Sequence, residues 1–155
     1  MNGQFSTLLT TRLAELTGGL RFEHKPSGVA RAPQIVETML PPKGHDHQEG
    51  QEFPLVRWAL HGGGFDFMRP APFGIILHGG IYTSGDIVAG TRDITTLALA
   101  LGRIVNDRAF PPYRLVTPVP FTIGSPEQGS EGLQPHPYYW LTMKLQFIVP
   151  SGHGG

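Results

Sequence analysis

From Leu141 to Phe147 the chain alternates apolar and polar without a break, and Tyr139 and Val149 continue the apolar phase. Tyr139, Leu141, Met143, Leu145, Phe147 and Val149 project one way, while Thr142, Lys144 and Gln146 project the other. Successive side chains of a β-strand point to opposite faces, so this run is a strand with one buried and one solvated face. A fold holding such a strand needs a sheet and an apolar layer against its inner side. Two segments can supply that layer. Ile94, Leu97, Ala98, Leu101, Ile104 and Val105 fall at i, i+3, i+4, i+7, i+10 and i+11, which is one apolar stripe of a helix. Thr91 suits its N-cap, Asp93 in the first turn complements the helix dipole, and Pro111-Pro112 set its limit. Phe5, Leu8, Leu9, Leu13 and Leu16 have helical spacing too, with Asn2 or Ser6 as cap and Gly18-Gly19 as a left-handed stop.

Three further strands are predicted. Phe53 to Leu60 is closed by His61-Gly62-Gly63-Gly64, and Phe73 to Tyr82 carries Phe73, Ile75, Leu77 and Ile81 on one face. The link between them is too short for a helical crossover, which predicts an antiparallel hairpin. Tyr113 to Ile123 alternates, but Pro118 and Pro120 confine it to an edge or a bend. Gly (21) and Pro (15) gather between these elements, in 24–50, 61–74, 111–137 and the tail Ser151–Gly155. Residues 24–52 read as an extended loop segment, with Ile35-Val36 as a strand fragment, and residues 124–137 as a Gly/Pro loop carrying Glu127 and Glu131. The expectation is an α+β fold: a four-stranded, mostly antiparallel sheet with two helices on one face, in the order α-β-β-α-β-β, with long Gly/Pro loops. One domain is expected over 1–150, with an N-terminal helix over 1–17 and a flexible tail over 151–155.

Charge and composition narrow the function. Lys plus Arg and Asp plus Glu are 12 each, so the basic excess of a duplex-gripping protein is missing and no specific nucleic-acid ligand is expected. Cysteine is absent, which excludes disulfides, thiolate zinc, iron–sulfur clusters and Cys nucleophiles. No continuous apolar block marks a signal peptide and no apolar run is long enough for a spanning helix, so a cytoplasmic product without a membrane partner is expected.

Motifs that carry chemistry are sparse. His61-Gly62-Gly63-Gly64 resembles an oxyanion-hole loop, but such donors need a Gly-x-Ser-x-Gly nucleophile, and Ser130 in Gly129-Ser130-Glu131-Gly132 misses that pattern by one position. His45-Asp46-His47 offers two imidazoles and a carboxylate to a metal, yet nothing scaffolds a partner for them, and an exposed loop is the reading preferred. No Gly-Lys-Ser/Thr phosphate loop occurs, and Asp86, Asp93, Glu127 and Glu131 have no spacing that commits them to one acid–base site. Tyr138-Tyr139-Trp140, without a basic surround, reads as a core-and-interface aromatic cluster. No catalytic, cofactor-binding or metal-ligating residue is expected, and no cofactor.

The order of several motifs resembles the tail terminator, or tail-completion, proteins of long-tailed bacteriophages. Pro41-Pro42-Lys43 precedes Phe53-Pro54-Leu55-Val56, and Gly90-Thr91-Arg92-Asp93-Ile94 enters the second helix. Tyr113-Arg114-Leu115 follows, and Pro137-Tyr138-Tyr139-Trp140 leads into a strand ending Val149-Pro150. The family often has acidic loops where this chain has Thr83-Ser84-Gly85-Asp86 and Gly129-Ser130-Glu131-Gly132. The resemblance implies a virion structural protein that assembles in the host cytoplasm into a hexameric ring. The ring caps the head-proximal end of the tail tube, stops tube polymerisation and offers a surface to head-completion and neck proteins. Its partners would be its own copies, the tail tube protein and those neck proteins, with DNA passing through ungripped. Asp86, Arg92 and Glu131 are the residues expected at the subunit or tube interface. Another neck or head-completion protein, a small hydrolase or metal-binding enzyme, and a binding module without a ring are the alternatives.

Overall fold

The computed structural model describes residues 3–37, 48–63, 71–106, 113–125, 130–131 and 136–149. The elements run α1 (Gly3–Thr17), β1 (Phe22–Glu23), β2 (Ala30–Arg31), β3 (Gln34–Glu37), β4 (Leu55–Gly63), β5 (Ala71–Tyr82) and α2 (Ile87–Gly102). A 3-10 turn over Arg103–Asn106 follows, then β6 (Arg114–Leu115), β7 (Phe121–Ser125), β8 (Ser130–Glu131) and β9 (Tyr138–Val149).

The class is α+β, but the sheet is not the four-stranded, mostly antiparallel one expected. A mixed sheet runs β3-β4-β5-β9-β7-β8 and forms a half-barrel, and β6 pairs with β9 as a seventh strand. β1 and β2 make a separate two-stranded hairpin, with β2 inside the segment read as loop and β1 just ahead of it. The Ile35-Val36 fragment is strand β3, and it pairs parallel to β4, Ile35 opposite Val56. The predicted Tyr113–Ile123 strand is two strands, because Pro118 and Pro120 cannot donate to a ladder. Both still pair with the same edge of β9, Leu115 opposite Phe147 and Ile123 opposite Leu141. The added strands are two to five residues long, too short for alternation to register in the sequence.

The centre follows the alternation. β4 and β5 pair antiparallel, as do β5 and β9 along their whole length from Ala71–Val149 to Tyr82–Tyr138. Phe73, Ile75, Leu77 and Ile81 of β5 share the inner face with Tyr139, Leu141, Met143, Leu145 and Phe147 of β9 and with Val56 and Trp58 of β4. α1 adds Phe5, Leu9, Leu13 and Leu16, and α2 adds Ile94, Leu97 and Leu101, to the same buried cluster. Phe5 is its hub: its ring meets those of Phe73, Tyr113 and Phe147 edge-on, with centroids about 5 Å apart.

The helix ends differ from expectation. α1 does not stop in a left-handed glycine, since neither Gly18 nor Gly19 has a positive φ. Gly18 is required by space instead, because a Cβ there would lie 2.9 Å from the Ala14 carbonyl oxygen. α2 starts a turn earlier than predicted. Asp86 is its N-cap, its carboxylate accepting from the Ala89 N–H at 2.9 Å, so Thr91 and Asp93 lie inside the helix. Val105, counted into the stripe, is exposed, while Ala100 is buried in its place.

Candidate functional site

The sheet has a second face, turned away from both helices. Register places Val36, Arg57, His78, Thr142 and Thr122 side by side on it, one from each of β3, β4, β5, β9 and β7. They are out of the core because their strand neighbours, such as Val56, Trp58, Leu77 and Met143, are in it. The row on one side is Ala59, Ile76 and Lys144; the row on the other is Leu55, Gly80 and Trp140.

Arg57 and His78 are joined. An Arg57 Nη2 proton is donated to His78 Nδ1 at 2.7 Å. With Nδ1 accepting, the imidazole proton sits on Nε2. Burial, and then the charge of Arg57, lower the His78 pKa from the usual 6.5 to about 4, so the ring is neutral near pH 7. Both side chains are half-buried. Among the described residues the Arg57 guanidinium has no carboxylate partner, and the row carries no acid. The pair therefore offers guanidinium N–H groups and an imidazole N–H to an oxyanion, for which a carboxylate is a good geometric match.

One end of this face is filled by the chain itself. The Phe53 ring lies 4.9 Å from that of Tyr138 and 5.2 Å from that of Trp140, and Tyr82 lies 5.5 Å from Tyr138. Lys25 Nζ stands over the Tyr82 and Tyr138 rings, at 5.3 and 5.9 Å, and pairs with Glu49 at 3.3 Å. Gly80 makes room for this packing: a Cβ there would meet Phe53 at 2.8 Å and Trp140 at 2.9 Å. The Tyr138-Tyr139-Trp140 run is thus split, with Tyr138 and Trp140 on the outer face and Tyr139 buried in the core.

On the helix side, the loop into α2 is tied down at several points. Glu23 accepts from the Ser84 hydroxyl at 2.7 Å, and Thr83 Oγ1 accepts from the Gly85 N–H. Ile87 and Val88, which follow Asp86, are 65% and 63% exposed despite being aliphatic. Burial raises the Asp93 pKa, the Arg92 charge beside it opposes the shift, and Glu23 adds to it. Tyr139 OH and His136 Nδ1 lie 2.6 Å apart, and the phenol pKa is raised by burial and then by the Asp86 charge.

The three residues expected at an interface occupy separate places. Asp86 is exposed and caps α2, Arg92 is exposed on that helix, and Glu131 lies in β8 opposite Gly124. His61-Gly62-Gly63 closes β4 past a shift in register rather than forming a free turn. His45, Asp46 and His47 lie outside the described residues, and among those described no group of three or more His, Cys, Asp or Glu could hold a metal. The Arg57–His78 pair was missed in the sequence because it depends on the register between β4 and β5. Its only trace is that both residues fall on the outward phase of strands whose inward phase is apolar.

Comparison with protein-family models and with curated proteins finds no match for the chain. No described helix is long and apolar enough to cross a membrane.

Proposed function

We propose that the chain is a phage tail terminator: a virion protein whose copies form a ring on the head-proximal end of the tail tube, end tube growth and receive the neck proteins. The observation that carries this reading is the way the resembling motifs meet around β9. Phe53 of the Phe-Pro segment packs on Tyr138 and Trp140 of the Pro-Tyr segment. Gly90 of the Gly-x-Arg-Asp segment packs on Tyr139 between them, from the opposite side of the sheet. Residues far apart in sequence thus serve one construction, which gives their shared order a physical reason.

Ring assembly requires a head-to-tail contact between two different patches of the same chain. The sheet ends in two unlike strands, β3 on one side and β8 on the other, and its helix-covered and outer faces differ in chemistry. A formal net charge of zero suits a bore that lets DNA pass without holding it. Addition of the purified chain to growing tail tubes tests the reading. Electron microscopy should show a ring at one tube end and arrested elongation; tubes that continue to lengthen at the same rate would refute it.

A further inference from the structure

We infer that the outer sheet face around Arg57 and His78 docks the start of α2 from a second copy, with Asp86 of that copy meeting Arg57 and its Ile87 and Val88 covering Ala59 and Ile76. The inference rests on the ring reading and specifies its contact.

Both surfaces have something left over. On α2, an exposed carboxylate is followed by two exposed aliphatic side chains, while the opposite side of the helix is buried on the core. Asp86 spends one acceptor position on the Ala89 N–H, and an ionised carboxylate has about four. On the sheet, the outer-face positions next to Arg57 and His78 are Val36, Ala59, Ile76, Thr142 and Lys144, a basic and apolar set with no acid among the described strand residues. Charge and apolar character are therefore complementary. Arg92, one turn along α2 from Val88, has Asp93 beside it to balance its charge.

Placement favours propagation. α2 packs on the inner face of β5 and β9, whereas Arg57 and His78 lie on the outer face. A contact joining the helix side of one copy to the sheet side of the next leaves a free copy of each surface at either end. Such a contact is heterologous, and it closes into a ring or extends into a filament according to the rotation it imposes.

The absence of cysteine gives a clean test. Ile76→Cys and Val88→Cys are made in separate preparations of the full chain, mixed, and oxidised, both at high concentration and on tail tubes. The mixture should give disulfide-linked dimers at least tenfold above either variant alone. Arg57→Glu and Asp86→Lys should each reduce ring formation at least tenfold, and mixing their charges in one chain should restore it. Asp86→Ser, which keeps a capping hydroxyl, separates loss of the contact from loss of the helix cap. Rings on tubes without the mixed disulfide would overturn this contact and leave the terminator reading standing. A mixed disulfide in concentrated protein that leaves tube growth untouched would support the contact and overturn the terminator reading. Monomers under every condition would overturn both.

Discussion

The ring of Tyr139 occupies the space that a side chain on Gly90 would need. A glycine in the middle of a helix costs about 1 kcal/mol relative to alanine, so helix propensity alone favours Gly90→Ala. Here propensity should lose. The clash is between helix backbone and a buried ring held in the central strand, and overpacking of that kind costs about 1–3 kcal/mol. We predict that Gly90→Ala lowers the melting temperature by several degrees in a thermal scan. An unchanged or higher value would mean that α2 does not approach β9 so closely.

A second close approach lies on the other face. Gly80→Ala should push Phe53 away from Trp140 and destabilise the chain by about 1–3 kcal/mol. Trp58 is the only other tryptophan and sits in the core, so a change in Trp140 emission is readable against it. Emission identical to that of the parent chain would contradict the packing.

The α2 cap gives a third test. Asp86→Ala should cost about 1 kcal/mol in denaturant unfolding, and Asp86→Ser should recover most of it, because the hydroxyl can still accept from Ala89 N–H. Equal losses in both variants would show that the carboxylate acts by charge alone.

His78 sets a pH dependence. Its folded pKa of about 4 lies below the unfolded value of 6.5, so between those values the unfolded chain binds the extra proton. Stability from this group is therefore complete above about pH 6.5 and is lost as pH falls toward 4. His78→Gln keeps an acceptor for Arg57 and removes the titration. The parent chain should lose about 1 kcal/mol relative to the variant over that window, allowing for solvent screening of a half-exposed ring. Parallel pH profiles for the two proteins would contradict the assignment.

The parts of the fold that showed in the sequence are those where a pattern runs long enough to have a phase. Phe73–Ile81 and Tyr139–Phe147 gave their inner faces, and Leu97 and Leu101 gave the stripe of α2. Strands β1, β2 and β8 leave no mark in the sequence because two residues carry no phase, and the fragment Ile35-Val36 gives no sign of its parallel pairing with β4. The start of α2 was misplaced because exposed Ile87 and Val88 break the apolar pattern and Gly90 looks like a breaker; its reason for being there, Tyr139, is far along the chain. The candidate site was less legible still. In the sequence Asp86 reads as an interface residue and the N-cap falls on Thr91, and Arg57 and His78 become neighbours only once β4 and β5 are in register.

Particles assembled without this chain offer the most direct test of the central claim, read as tail length and head attachment by electron microscopy. The account predicts overlong or irregular tails that fail to join heads. Tails of normal length attached to heads would contradict it.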